Sequence, residues 1–243
     1  MESLRFVLFL LAISIEILFV IRFFHFEKSI APLAVILFNT LLLYLFAIIG
    51  ILTIGAVICA VLSVICLVII FISKKSSLRI EFEKFNEFLP IIVFWSICII
   101  AFLYTRVTLF HEWDEFSHWG VIYKYLMVVQ QLPNNSESVS ITYPYPPFSA
   151  LWQYLTSMAI SFKEENAYFA HSILQFSAII ACFPPPNKRR VGQYFFFLIA
   201  SILAVFYFSY TLRFHLLYVD LLMGLLFAAG LALLPLGGKQ SLS

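Results

Sequence analysis

The chain has 243 residues, of which 63% are hydrophobic and 12% charged, and its mean hydropathy is +0.99. A soluble domain is about one-quarter charged, so this composition excludes an ordinary water-soluble globular protein and predicts an all-α, polytopic helical membrane protein. The formal net charge of +2 supplies no basic surface for a nucleic-acid partner.

A helix needs about 20 apolar residues to cross the hydrocarbon core, and such runs recur from the N-terminus onward. The first, Leu4–Phe24, is too long for a signal-peptide core and lacks a small-x-small cleavage site, which predicts a retained span. Ile30–Ile49 and Ile51–Ile72 follow, with Gly50 and Gly55 marking a tight turn between them. The polar segment 73–88 is the first clear loop, so residues 1–88 form an N-terminal region of three spans and a cytoplasmic loop. Leu89–Leu109 is the expected fourth span. Cys59, Cys66, Cys98 and Cys182 all fall within apolar runs, where a thiol acts as a small hydrophobe rather than a disulfide partner or metal ligand.

Directly after the fourth run stand His111-Glu112-Trp113-Asp114-Glu115-Phe116-Ser117-His118, with five titratable groups. Ionisable groups at a bilayer boundary are costly unless paired, so by default they mark a functional site. On a helix, positions 111, 114, 115 and 118 share one face. Two imidazoles and two carboxylates on one stripe could hold a divalent cation, with Asp114, Glu115 and His118 the candidate ligands. Mixed nitrogen and oxygen ligands leave Zn, Mn and Mg open. The same stripe could instead let one carboxylate act as a base. Neither zinc-protease pattern fits: Glu115 occupies the place of the second His of H-E-x-x-H, and Asp114-Glu115 breaks the reversed order. Trp113, Trp119, Tyr123 and Tyr125 read as an interfacial aromatic belt, and charges beside such a belt also suit a merely solvated face.

Residues 110–165 form one large external loop in this reading. Tyr143-Pro144-Tyr145-Pro146-Pro147 breaks the loop and opens a helix, because proline suits an extended approach or a first helical turn. Pro147–Phe162 is short for a span and carries Gln153, Thr156 and Ser157, which suits a helix lying in the interface. Asn166–Phe183, Gln193–Leu212 and Val219–Leu236 complete about seven transmembrane helices. Short cytoplasmic loops carry the excess Lys and Arg. The clusters Arg22/Lys28, Lys74/Lys75/Arg79/Lys84 and Lys188/Arg189/Arg190 all fall inside when the N-terminus is outside and Pro147–Phe162 does not cross. An eight-span arrangement would put the last cluster outside. Lys163-Glu164-Glu165 is then external, as is Asp220 at the start of the last span, with Arg213, His215 and Arg106 nearby to pair with it or with a lipid phosphate.

Taken in order, Trp113-Asp114-Glu115-Phe116, Tyr145-Pro146-Pro147-Phe148 and Tyr218-Val219-Asp220-Leu221 resemble the GT-C superfamily of membrane glycosyltransferases. The likeness covers roughly Leu89 to Leu236 and looks closest to bacterial members related to dolichyl-phosphate-mannose and aminoarabinose transferases. It marks residues 89–243 as a GT-C-like membrane module. The resemblance implies a sugar moved from a polyprenyl-phosphate carrier to a glycan or lipid acceptor, outside a bacterial inner membrane. It implies Asp114 as the catalytic base, Glu115 as the residue that orients the acceptor or helps bind a cation, and Asp220 as the later external carboxylate. Tyr145, in the Pro-rich entry, joins the substrate-binding candidates. Arg106, Arg213 and His215 are candidates for the departing phosphate without matching a family motif.

Two features depart from the family. No carboxylate precedes the prolines in Tyr143-Pro144-Tyr145, and three spans precede the motif where many relatives have one. Such enzymes usually continue for several more spans, which reads this chain as a shortened or split form. The alternative is a non-catalytic integral membrane assembly or lipid-binding subunit with a partner membrane protein. Transport would call for polar residues deep within spans, where Glu16 and Asn39 are the main candidates and give it little support.

Overall fold

The computed structural model describes residues 1–73, 85–133, 147–183, 185–186, 190–208 and 217–237. Among them the chain is helical, without a strand: α1 Glu2–Phe23, α2 Ala31–Ile48, α3 Leu52–Ile72, α4 Phe85–Tyr104, α5 Trp113–Ser117, α6 Trp119–Val129, α7 Phe148–Ala159, α8 Glu164–Ala181, α9 Val191–Phe208 and α10 Val219–Gly237. Every expected span is a helix, with shifted ends. α4 starts four residues before Leu89, continues through Pro90, and stops at Tyr104 instead of Leu109. Three residues beyond that end, Val107 takes a left-handed backbone (φ 63°). Gly50 (φ 77°) makes the α2–α3 turn, whereas Gly55 lies inside α3. A Cβ at Gly55 would come within 2.6 Å of Phe46 Cβ, so this glycine serves close α2–α3 packing rather than the turn.

Four helices are long and apolar enough to cross a membrane: Glu2–Phe23, Ala31–Ile48, Leu52–Ile72 and Asn86–Tyr104. α9 and α10 contribute the shorter apolar stretches Val191–Ala204 and Val219–Leu233. α8 is the least apolar of the long helices and also the most enclosed, with each residue from Asn166 to Ala181 buried except half-buried Phe176. Helices α4, α7 and α10 pack most extensively around it, with α2, α9 and α6 also in contact. Polar residues such as His171, Ser172 and Gln175 are tolerated in α8 because protein, not lipid, surrounds it.

α7 departs from expectation. Ser149 to Ser157 are all buried, so this helix does not lie with one face on lipid. Its 12 residues span about 18 Å, too short to cross. It is clasped by α8, α6, α2 and α1 instead. Trp152, fully buried, donates from Nε1 to the Ala170 carbonyl of α8 at 2.9 Å. The residues Gln153, Thr156 and Ser157 that suggested a watery face therefore point into protein.

Rings join α1, α4 and α8: Phe6 stacks on Phe102 at 3.6 Å between centroids, and Phe169 meets both edge-on at 5.6 Å. Side-chain bonds fix which helix ends lie together. At one end Glu2 of α1 meets Lys163 before α8 and Arg106 after α4, and Thr53 of α3 bonds Gln130 after α6. At the other, Arg22 reaches the Ser73 carbonyl and Lys28 pairs with Glu87 at 2.6 Å.

Candidate functional site

The acidic motif sits where the start of α1, the end of α4 and the starts of α8 and α10 converge. It does not form one continuous helical stripe. α5 holds only residues 113–117, and Glu112 before it is extended. His118, with φ −140° and ψ −84°, breaks the helix before α6 begins. The four positions 111, 114, 115 and 118 therefore do not line one helix face.

Glu115 is 1% exposed. Its Oε2 accepts from the backbone N–H of His111 at 2.9 Å and of Glu112 at 3.1 Å, and from Tyr168 Oη at 2.7 Å. Its Oε1 accepts from the Leu217 N–H at 3.4 Å. One carboxylate thus ties together the approach to α5, the first turns of α8 and the segment leading into α10. Gly120 makes this fit possible, because a Cβ there would lie 2.5 Å from the Glu115 carbonyl and from the Phe110 ring. Phe110 in turn meets Tyr168 edge-on at 5.4 Å. The sequence marked Glu115 as an acid but gave no sign of Tyr168 or Leu217 as its partners, more than fifty residues away.

Asp114, the adjacent acid, is half-buried, and among the described residues its carboxylate receives no hydrogen bond or ion pair. Asp220 is exposed three residues beyond Leu217 and is likewise unpartnered among the described residues. The Glu115–Leu217 bond is what brings the segment carrying Asp114 to the N-terminal end of α10.

Arg106 is committed. Its Nη1 lies 2.6 Å from Glu165 Oε1 and 3.1 Å from Glu2 Oε1, and its guanidinium covers the Phe102 ring at 4.1 Å. Lys163 closes the network with Glu2 at 2.6 Å and Glu165 at 3.4 Å. The hydrogen bond to Glu2 holds the Lys163 ammonium above its ordinary pKa. Glu164 accepts from the Phe110 N–H at 2.6 Å and pairs with Lys124. Below these, Tyr123 Oη sits 2.8 Å from Ser157 Oγ, and burial pushes its phenol pKa up. Lys163, Glu164 and Glu165, expected only to lie outside, thus anchor the approach to the acidic motif, from Arg106 to Phe110.

Glu165 also accepts from the N–H of Val107 at 2.9 Å. A β-branched residue in the left-handed region costs about 1–2 kcal/mol, and the Val107 side chain is almost fully exposed, so it gains no packing in return. Val107→Asn keeps the N–H donor and suits that backbone. It is expected to stabilise the chain by about 1 kcal/mol, read as a higher melting temperature of the detergent-solubilised protein.

Tyr145, Arg213 and His215 lie outside the described residues. His118 is half-buried with its Nδ1 3.4 Å from Ser117 Oγ, and its ring packs edge-on against Trp119. Among the described residues, no three or more His, Cys, Asp or Glu side chains come together as a group able to hold a metal ion. The expected trio of Asp114, Glu115 and His118 is not gathered as a ligand set in this structure. Glu115 is occupied by its four donors, and His118 has left the α5 helix. Comparison with protein-family models, curated proteins and solved structures finds no match to this chain.

Proposed function

We propose that the chain is a GT-C-type inverting glycosyltransferase. It would move a sugar from a polyprenyl-phosphate carrier to a glycan or lipid acceptor on the non-cytoplasmic side of a bacterial inner membrane. The observation that carries this reading is the division of labour between neighbouring acids: Glu115 is buried and fully engaged, while Asp114 is held beside it, partly exposed and without a partner among the described residues. A general base needs an accessible lone pair at a fixed position, and the Glu115 anchor supplies that position. In this reading Asp114 accepts the proton of the acceptor hydroxyl as its oxygen attacks the anomeric carbon. The bond from that carbon to the phosphate oxygen then breaks, and the configuration inverts.

Seven spans with the N-terminus outside suit this arrangement. Arg22 and Lys28 lie at the end opposite α5, where the positive-inside rule wants them. A specific observation favours the alternative of a non-catalytic lipid-binding or assembly subunit: Arg106, the one described cation among the phosphate candidates, is already held between two carboxylates. Proteoliposomes holding the full chain and a fluorescent polyprenyl-phosphate sugar separate the two readings. The enzyme reading expects released polyprenyl phosphate that rises with added acceptor, and no release across neutral and amino-sugar carriers would withdraw it. The sidedness has its own check. A Ser117→Cys chain in intact cells should react with a membrane-impermeant maleimide, and labelling only after the cells are broken would place the motif on the cytoplasmic side.

A further inference from the structure

The carboxylate of Glu16, near the middle of α1, plays no part in the site above. It is 5% exposed and bridges three helices: Asn39 Nδ2 of α2 donates to its Oε2, and Ser63 Oγ of α3 donates to its Oε1. Both partners are neutral, and among the described residues no Lys, Arg or His pairs with Glu16. A carboxylate at this depth with no counter-charge must either hold a proton or be neutralised by a cation that enters.

Among the described residues, this carboxylate helps line two cavities. A smaller one of about 340 Å³, lined by α1, α3, α7 and Asn39 of α2, reaches Arg5 near the α5 end. A larger one of about 500 Å³ leads to the opposite end and is walled by Phe19, Phe24, Phe26 and Phe38, with Glu16 its one charged residue. The Phe24 ring lies 5.9 Å from Phe19 and 6.4 Å from Phe26, so the rings form a connected lining. A small hard cation needs six or more oxygen ligands, and this wall offers one carboxylate. A lining of four phenylalanines with a lone carboxylate instead matches a bulky cation whose charge is spread and poorly hydrated.

We propose that the larger cavity binds a lipophilic organic cation, with Glu16 as its counter-charge and the phenylalanine faces around it. Asn39 and Ser63 are positioning residues that hold both carboxylate oxygens. Proton and cation compete for the one carboxylate, so the cation binds more weakly as pH falls. The other titratable groups in the two cavity walls are Cys59 and Cys66 of α3 and Arg5 of α1; α2 and α7 contribute none there. Arg5 is about 16 Å from Glu16 along the helix, too far to replace the cation.

The test is equilibrium binding of tetraphenylphosphonium to the detergent-solubilised full chain. Saturable binding is expected, competed by protons, with no binding of the anion tetraphenylborate at the same site. Glu16→Gln should weaken it about tenfold or more, and Glu16→Asp should retain most of it. Phe24→Ala, which alters an exposed ring, should weaken it about threefold. Absence of saturable binding by the wild type overturns the proposal, as does equal affinity in Glu16→Gln. Should Glu16→Gln not fold, unchanged affinity in Phe24→Ala overturns it as well. Sugar transfer is not read in this experiment, so its outcome is independent of the glycosyltransferase reading.

Discussion

Glu115→Ala is expected to cost the chain a large share of its stability. Two of the four donors that this carboxylate satisfies, Tyr168 Oη and the Leu217 N–H, are in buried surroundings where water does not replace it. A buried donor left without an acceptor costs about 1–3 kcal/mol, which applies to the Leu217 N–H, whereas Tyr168 Oη keeps the Leu109 carbonyl 3.3 Å away and loses less. A whole domain is stable by only about 5–15 kcal/mol. The His111 and Glu112 amides are less enclosed and recover part of their loss from water. The melting temperature should fall by about 5–10 °C or more. Glu115→Gln keeps an acceptor oxygen and loses only the charge assistance, so its effect should be smaller. Tyr168→Phe removes one donor and leaves Glu115 its backbone partners, at about 1 kcal/mol. Thermal unfolding in one detergent ranks the three, and a Glu115→Ala chain that melts with the wild type would show that the carboxylate does not tie these elements together.

That ranking depends on contacts which no local pattern in the sequence records. The helices themselves were legible because apolar runs of membrane length report directly on solvent, and α1, α2 and α3 fall within a few residues of the expected runs. Also legible was that acids gather after the fourth helix. Which acid is tethered and which is left accessible was not, because it is decided by Tyr168 and Leu217, reached only when α8 packs against α6 and the residues before α10 meet Glu115. Arg106 illustrates the same limit. Beside the motif in sequence it reads as a phosphate ligand, yet Glu2 at the start of α1 and Glu165 at the start of α8 already surround it. α7 misled for a different reason: an amphipathic stretch looks the same whether its polar side meets water or the interior of a helical bundle. Its Ser157 finds Tyr123 rather than solvent.

Asp114→Asn should produce the opposite profile to Glu115→Ala, with transfer lost and stability kept. The substitution preserves shape, and Asp114 has no partner among the described residues to lose, so the change in stability should stay within about 0.5 kcal/mol. A positioned general base contributes about 10²–10⁴-fold to rate, and an amide cannot take the proton, so release of the carrier phosphate should fall by about that factor. Asp220→Asn, at an exposed carboxylate three residues past the Leu217 contact, should fall between wild type and Asp114→Asn if it orients substrate without exchanging the proton. The pairing of variants carries more weight than either alone. A destabilised Glu115→Ala chain loses activity for structural reasons, whereas an Asp114→Asn chain that melts normally and transfers nothing has lost only chemistry. Should Asp114→Asn transfer as fast as the wild type, the base assignment fails. The exposed acids at this end would then be better explained as a contact surface for a partner membrane subunit, recoverable by crosslinking through Ser117→Cys.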